Sequence, residues 1–215
     1  MNPVVSIVGK TGTGKTALLE RLIAEFKKRG CRIATVKHSP GGMEIDKSGK
    51  DSWRFAEAGS DAVVISSPDK LAFIKNVDDD SSIEYILHTI GSDFDIVLVE
   101  GFRKGKAPKI EVHRKELGQD LLCPFEELSV IVTDEPLDID IPQIPLNDTV
   151  AVADFIEKNF ILESEGDASL FVNGKQVFIN PFVKEIITRI SLAIVSTLKG
   201  VEKIKSLDIS VKNKP

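Results

Sequence analysis

The stretch GKTGTGKT at residues 9–16 carries residue types that can bind phosphate. It matches the pattern G-x-x-x-x-G-K-[ST] at Gly9, Gly14, Lys15 and Thr16. Glycines let a loop turn tightly with several backbone N–H groups pointing inward, and the N-terminus of a following helix adds positive charge. A lysine can neutralise the β- and γ-phosphates, and a threonine hydroxyl can complete a Mg²⁺ shell. The motif, called the P-loop below, predicts binding of a nucleoside triphosphate.

The flanking residues supply the two elements that such a loop requires. The apolar run PVVSIV precedes it, and KTALLERLIAEFKK follows with apolar residues three and four positions apart. We therefore predict a strand over Val4–Val8, a helix over Lys15–Lys28 and a helix exit at Gly30. The alternative is a glycine-rich strand-to-helix turn with a chance lysine, and this context argues against it.

A carboxylate for magnesium is predicted at the end of the apolar run in DFDIVLVEGF. Asp95 and Glu100 bracket this run and lie about 16 Å apart at ~3.3 Å per strand residue, so only one can face the phosphates. Ligands of open parallel sheets bind at the carboxyl ends of the strands, which favours Glu100. We predict Thr16 and Glu100 as the metal ligands, with helix capping or solvent contact as the alternative for Glu100.

The segment VKHSPGGMEIDKSGKDSW follows another predicted strand. Lys37 and His38 are expected at the same sheet edge as the P-loop, and Asp46 and Lys50 lie in the loop that follows. Such a loop can bind an anion or serve as a switch. For His38 a structural role and a functional one are equally well supported.

Two weaker signals come later in the chain. SVIVTDEPL ends a predicted strand at Asp134, whose carboxylate could accept hydrogen bonds from N1–H and the exocyclic amine of guanine or simply form a turn. The basic segment GFRKGKAPKIEVHRK is either a solvated loop or a docking site for an anionic ligand or partner.

Short strand patterns alternate with helical patterns, which predicts an α/β fold with a mostly parallel sheet and helices on both faces. Strands are predicted at 4–8, 32–37, 62–66, 71–75, 95–100, 109–112 and 130–133, and helices at 15–28, 50–58, 81–89 and 149–158. The third and fourth strands are expected to form a hairpin around SSPDK.

A domain boundary is predicted at the small, polar stretch ESEGDAS, which gives a P-loop domain at 1–162 and a small α+β appendage at 165–215. Within the appendage, LFVNGKQVFI predicts an Asn-Gly hairpin. A helix should begin after Asn180 as N-cap and end before Gly200, and SLDISVK is a candidate strand. Apolar residues at helical spacing suggest a surface for association: Ile186, Ile187, Ile190, Ile194 and Leu198.

Composition excludes several classes of protein. The 215 residues are 42% hydrophobic and 28% charged, with a formal net charge of −5, which argues against nucleic-acid and membrane binding. Two cysteines are too few for a disulfide framework, and the N-terminus lacks signal-peptide features. No apolar stretch approaches the ~20 residues of a membrane span. We expect a cytoplasmic protein.

These motifs together resemble the MobB family of molybdopterin-guanine dinucleotide biosynthesis proteins over about residues 1–160. The resemblance rests on GKTGTGKT at 9–16, VKH at 36–38, DKSGKDSWRFAEAG at 46–59, DIVLVEGFRK at 95–104, and VTDEPL followed by LNDTVAVADFI. It implies a dimeric P-loop protein that binds GTP and Mg²⁺ beside the guanylyltransferase that joins GMP to molybdopterin.

The resemblance also implies site residues. By position, Gly12, Gly14, Lys15, Thr16 and Glu100 would form the nucleotide and magnesium site, with Asp46, Lys50, Lys37 and His38 nearby. Taken together with the motifs, the predicted nucleotide-binding residues are Gly9, Thr11, Gly12, Thr13, Gly14, Lys15, Thr16, Lys37, His38, Lys50 and Asp134. Asp46 and Glu100 are the only candidates for catalysis. Hydrolysis should be slow or absent, because the sequence does not identify an arginine or glutamine that would assist it.

Two other functions stay open. A small-molecule kinase would need a base, for which Asp46 is the candidate. A metallochaperone GTPase would need a metal cluster, whereas the three histidines are scattered and not paired with cysteine.

Overall fold

The computed structural model describes residues 2–43, 45–77, 79–118, 120–161, 168, 170–173, 175–201, 204 and 207–211. The chain divides into two compact units, one formed by Met1–His38 with Ile83–Pro215 and the other by Ser39–Ser82. The strands are β1 (Val4–Val8), β2 (Ile33–Lys37), β3 (Ala62–Ser66), β4 (Leu71–Lys75), β5 (Ile96–Glu100), β6 (Lys109–His113), β7 (Leu128–Thr133), β8 (Gln143–Pro145), β9 (Leu170–Val172) and β10 (Lys175–Val177). The helices are α1 (Lys15–Lys28), α2 (Asp51–Glu57), α3 (Ile83–Ile90), α4 (Thr149–Ile156) and α5 (Pro181–Ser196).

The first unit contains a six-stranded sheet in the order β2-β5-β1-β6-β7-β8. Every neighbouring pair in it is parallel. The carboxyl ends of all six strands therefore lie at one edge, with β1 between β5 and β6. This confirms the predicted α/β fold. The short strand β8 was not predicted, because the three residues Gln-Ile-Pro are too few to show an alternation of apolar and polar side chains.

Apolar side chains cover both faces of this sheet. On one face Val5 and Ile7 of β1 pack with Leu18, Leu22 and Phe26 of α1, and α4 extends the same core. On the other face Ile83 and Leu87 of α3 pack against Val97 and Val99 of β5. The side chains of β5 alternate between the two cores, which is why its sequence reads as a continuous apolar run.

Helix α1 ends as its sequence predicts. Gly30 has φ +83°, a conformation that glycine adopts without steric cost. The N–H of Cys31 donates to Phe26 O at 3.0 Å, and the N–H of Gly30 donates to Lys27 O at 3.1 Å. The last carbonyls of α1 are thus satisfied by a Schellman-type turn.

The second unit consists of α2 and an antiparallel hairpin of β3 and β4. The hairpin predicted around SSPDK is confirmed: the hydroxyl of Ser67 accepts from the N–H of Lys70 at 3.0 Å and donates to Asp69 Oδ1 at 2.8 Å. Its strands form a sheet of their own.

The C-terminal segment contains the β9–β10 hairpin and α5. Asn180 caps α5 as predicted, because its side chain accepts from the N–H of Val183 at 2.9 Å. The helix ends at Ser196, before the predicted Gly200. Residues 207–211, the described part of the candidate strand SLDISVK, form no strand, and the side chain of Ile209 is 62% exposed.

Some predicted features of this segment fall outside the described residues: the boundary stretch 163–169 except residue 168, Gly174 of the hairpin turn, and the ends of SLDISVK. The described hairpin residue Phe171 stacks on His88 of α3, with ring centroids 4.1 Å apart. None of the helices in the described ranges is both long enough and apolar enough to cross a bilayer.

Candidate functional site

The P-loop occupies the turn between β1 and α1. Gly12 and Gly14 have φ +86° and +91°, so the backbone takes conformations that other residues rarely adopt. Gly14 is the N-cap of α1, and no side chain caps the helix. The first N–H groups of α1 are consequently available for an anion.

Lys15 folds back over this loop. Its Nζ donates to Gly9 O at 2.9 Å and to Lys10 O at 2.8 Å. Thr13 is buried, and its hydroxyl donates to Lys10 O at 3.0 Å. These bonds hold the ammonium group and the loop backbone in one arrangement before any ligand binds.

Thr16 faces Glu100 across the gap between α1 and the end of β5. The Thr16 hydroxyl lies 3.4 Å from each carboxylate oxygen of Glu100. Lys37 Nζ is 3.8 Å from Glu100 Oε2. A hydroxyl and a carboxylate so close together are the oxygen ligands that Mg²⁺ prefers, and Mg²⁺ takes its remaining ligands from water and phosphate.

His38 lies at the same end of β2. Its N–H donates to Glu100 O at 3.0 Å, and its ring lies 4.2 Å from the ring of Phe102. A Cβ at Gly101, which has φ +103°, would be 3.2 Å from the Cβ of His38. Lys37 and His38 therefore lie at the predicted sheet edge, beside the residue predicted to bind the metal.

Asp95 lies at the opposite edge of the sheet. Its Oδ2 accepts from the N–H of Arg32 at 2.7 Å, at the start of β2. Five residues of β5 separate it from the cluster around Glu100. The structure therefore places the two carboxylates at the two ends that the strand length predicts.

On the other side of the P-loop, Arg114 connects three elements. Its Nε donates to Thr13 O at 3.1 Å, and its Nη1 is 3.6 Å from Asp134 Oδ2 at the end of β7. Asp134 Oδ1 accepts from the N–H of Lys115 at 2.9 Å. Both oxygens of Asp134 thus face the turn after β6.

One further bond joins the turn after β6 to the P-loop, and two others fix the turn itself. Lys10 Nζ donates to Leu117 O at 3.0 Å. The buried ring of His113 lies within hydrogen-bond distance of Thr133 Oγ1 at 3.1 Å and of Gly118 O at 3.0 Å. These contacts fix the backbone of residues 113–118 relative to the P-loop.

The turn carrying Arg114 was missed as part of the site. VHRK was treated only as part of a basic segment, although it stands at the end of a strand next to β1. Applying to β6 the rule that selected Glu100 would have placed Arg114 at the carboxyl edge of the sheet, although not next to the P-loop.

The remaining predicted residues belong to the second unit. Asp46 Oδ1 accepts from the N–H of Lys47 at 2.8 Å, and Lys50 is the N-cap of α2, with no side-chain capping bond. A role for Asp46 and Lys50 in nucleotide binding stays a prediction.

Neither cysteine is suited to nucleophilic chemistry. Desolvation raises the pKa of the Cys31 thiol and that of the buried Cys123 thiol, with Asp95 and Glu111 as further causes. A thiol with a raised pKa stays protonated at neutral pH. Within the described ranges, no group of three or more His, Cys, Asp or Glu side chains is placed to hold a metal ion.

The glycine loop after β1 and the carboxylate after β5 share one edge of a parallel sheet, and this places the chain in the P-loop NTPase class of α/β proteins. The model of the family described as "Molybdopterin guanine dinucleotide synthesis protein B" (MobB) matches residues 4–134. The chain belongs to this family, which confirms the resemblance found in the sequence. Its membership places the chain among the accessory proteins of molybdenum cofactor biosynthesis.

Known relatives agree with this assignment. The molybdopterin-guanine dinucleotide biosynthesis adapter protein of Haemophilus influenzae is 39% identical over 72% of this chain and 88% of its own. The putative adapter protein of Methanocaldococcus jannaschii is 26% identical over 97% of both chains. A crystal structure of molybdopterin-guanine biosynthesis protein B is 31% identical, covers 72% of this chain and 97% of its own, and superposes with a TM-score of 0.55.

Proposed function

We propose that this chain binds GTP with Mg²⁺ and acts as an adapter for the guanylyltransferase that attaches GMP to molybdopterin. The observation that supports it most directly is the pairing of Thr16 with Glu100 beside the uncapped N-terminus of α1. An anion at that N-terminus would be bound by N–H groups and Lys15, and the adjacent oxygen pair suits its Mg²⁺ ion.

Each predicted group has one task in this proposal. The loop from Gly9 to Gly14 binds the phosphates through backbone N–H groups, and Lys15 neutralises their charge. Thr16 and Glu100 hold Mg²⁺, which shields the phosphate charges when bound. Asp134 belongs to the part of the site that faces the base.

Hydrolysis is proposed to be slow, so that the protein presents GTP rather than consuming it. The decisive experiment incubates the protein with GTP and molybdopterin, with and without the guanylyltransferase. We expect more guanine dinucleotide only when the transferase is present. A phosphorylated product without the transferase would instead support the small-molecule kinase.

The first prediction tests the metal ligand. Glu100→Gln removes the charge that would pair with Mg²⁺. We therefore expect the Mg²⁺-dependent gain in GTP affinity to fall about tenfold, because the loss of one charge-assisted contact has this effect. Isothermal titration with and without Mg²⁺ measures this gain. The matched control is Asp95→Asn at the far edge of the sheet, which should leave it unchanged. Equal losses in the two variants would contradict the assignment of Glu100.

The C-terminal segment is proposed to serve association between two copies of the chain. Its helix α5 and the turn that follows expose apolar side chains at every fourth position, called the α5 stripe: Phe182, Ile186, Ile190 and Ile194 in the helix and Leu198 just after it, which are 69%, 39%, 55%, 60% and 55% exposed. Residues four apart form a ridge, and two identical ridges of this kind pack into each other's grooves at about −50°. A second copy therefore fits this surface.

The relatives are consistent with a separable role for this segment. The H. influenzae protein aligns with 72% of the chain, whereas the M. jannaschii protein aligns with 97%. Members of the family thus differ in how much of this chain they match. The division near residue 165 stays a prediction, and so does a cytoplasmic location.

The second prediction tests the α5 stripe. The double variant Ile190→Glu, Ile194→Glu places two charges on the ridge, and like charges would oppose each other in a symmetric pair. We expect light scattering after size exclusion to show a dimer for the unaltered chain and a monomer for the variant, with equal GTP affinity. Ser196→Glu, which lies off the stripe, should stay dimeric. A monomeric unaltered chain, or a dimeric variant, would contradict the proposal.

A further inference from the structure

Arg114 has a donor group that its structural contacts leave available. Its Nε is bonded to Thr13 O and its Nη1 faces Asp134. Its Nη2 has no hydrogen-bond partner among the described residues and lies 3.5 Å from the position that a Cβ would take on Gly14. The side chain is 34% exposed, so this nitrogen lies on the P-loop and within reach of a ligand.

Sheet order determines which side of the P-loop a base can occupy. On the β5 side, the edge is occupied by Glu100, proposed to hold the metal, with Lys37 and His38 beside it. On the other side, β6 and β7 end directly before Arg114 and Asp134. Strands are about 4.8 Å apart, so a nucleoside extending from the P-loop toward β7 passes directly over Arg114.

Arginine recognises guanine through a specific arrangement of donors. Guanine presents two adjacent acceptors, O6 and N7, which a guanidinium contacts in a bidentate manner. Adenine presents N7 beside an amino group, and that amino group cannot accept from a guanidinium. A fixed guanidinium at the purine edge would therefore favour GTP over ATP.

We propose that Arg114 is the specificity-determining residue of this site, with the two N–H groups of its Nη2 donating to O6 and N7 of the guanine base. The proposal rests on the proposed binding of GTP and deepens it. Asp134 acts through Arg114 as a positioning residue: its Oδ2 faces the guanidinium, and its Oδ1 holds the N–H of Lys115. This differs from direct reading of N1–H by Asp134, the role considered from the sequence.

The experiment compares Arg114→Lys with the unaltered chain, using GTP, ITP, ATP and inorganic tripolyphosphate in isothermal titrations. Lysine keeps the charge but lacks the Nε and Nη1 contacts with Thr13 and Asp134 that would hold Nη2 at the base. ITP keeps O6 and N7 but lacks the 2-amino group, so it reports on the purine edge that Arg114 contacts. We expect the affinities for GTP and ITP to fall about tenfold, with ATP and tripolyphosphate unchanged. Arg32→Lys, at the far edge of the sheet, is the matched control and should change none of them.

A second variant separates positioning from direct contact. Asp134→Asn should weaken GTP and ITP binding less than Arg114→Lys does, without any gain for XTP. If the carboxylate of Asp134 itself accepted from N1–H and the 2-amino group of guanine, its conversion to an amide would change the base that it matches. The amide would match xanthine, which offers an N–H and a carbonyl at these positions. A gain in XTP affinity would therefore overturn the positioning role of Asp134.

Other outcomes are equally decisive. If Arg114→Lys weakens GTP, ATP and tripolyphosphate alike, Arg114 serves the phosphates or the loop and the assignment is wrong. If it leaves the preference for GTP unchanged, the base is recognised elsewhere. An unaltered chain that binds neither GTP nor tripolyphosphate would instead contradict the proposed function itself, so the two failures are distinguishable.

Discussion

Replacing Lys15 by alanine is expected to lower the affinity for GTP about 10- to 100-fold, because one charge-assisted contact to the phosphates is lost. Lys15 Nζ lies over the P-loop, bonded to the carbonyls of Gly9 and Lys10. A triphosphate in the loop would meet this ammonium group at its β- and γ-phosphates. Isothermal titration with GTP and Mg²⁺ measures the loss.

The fold should survive this substitution. The side chain of Lys15 fills no part of the apolar core, so the thermal midpoint should change little. Lys28→Ala at the other end of α1 is the matched control, since that side chain is 77% exposed and far from the loop. It should leave GTP affinity unchanged. If Lys15→Ala bound GTP as the unaltered chain does, the loop would not be a phosphate site.

Those parts of the fold that follow from local patterns were predictable. The strand and the helix on either side of the P-loop have the bounds that the sequence predicts. The reason is that an apolar run, a set of glycines and a 3.6-residue period follow one another there. The placement of Glu100 followed from one further rule, that parallel strands present their carboxyl ends at one edge. Each of these inferences uses residues that are close in sequence.

The features that sequence could not give depend on contacts between distant residues. The hydrogen bond from Arg114 to Thr13 O joins positions 101 residues apart, and no local sequence pattern at either residue predicts the other as its partner. The order of β6 and β7 beside β1 likewise arises from packing. Once that order is known, the turn after β6 becomes the neighbour of the P-loop.

Exposure of the C-terminal helix was also only partly predictable. Periodicity selected Ile186, Ile190, Ile194 and Leu198, which the structure exposes, but it included Ile187, which is half-buried. Phe182 completes the stripe and was overlooked because it lies in the first turn of α5. A helical period identifies an apolar face but cannot tell which part of it the rest of the chain covers.

Replacing Gly9 by alanine should be the most destabilising change in the P-loop. A Cβ at this position would lie 2.4 Å from Val112 O, a backbone atom of β6, and 3.0 Å from Thr13 Oγ1. Gly9 also has φ +144°, which side chains strongly disfavour. Strain and overpacking each cost about 1–3 kcal/mol, so we expect the free energy of unfolding to fall by roughly 2–6 kcal/mol. Urea unfolding followed by circular dichroism measures it.

Gly30→Ala separates the two causes of this loss. Gly30 has φ +83°, but a Cβ there would meet nothing within 4 Å. Its substitution should therefore cost only the left-handed backbone strain, about 1–2 kcal/mol. The excess for Gly9→Ala then reports mainly on the contact of the P-loop with β6, which cannot relax because Val112 O belongs to a central strand of the sheet. Equal losses in the free energy of unfolding for the two variants would mean that β6 shifts to accommodate the added methyl group. The turn carrying Arg114 would then not be held rigidly against the P-loop.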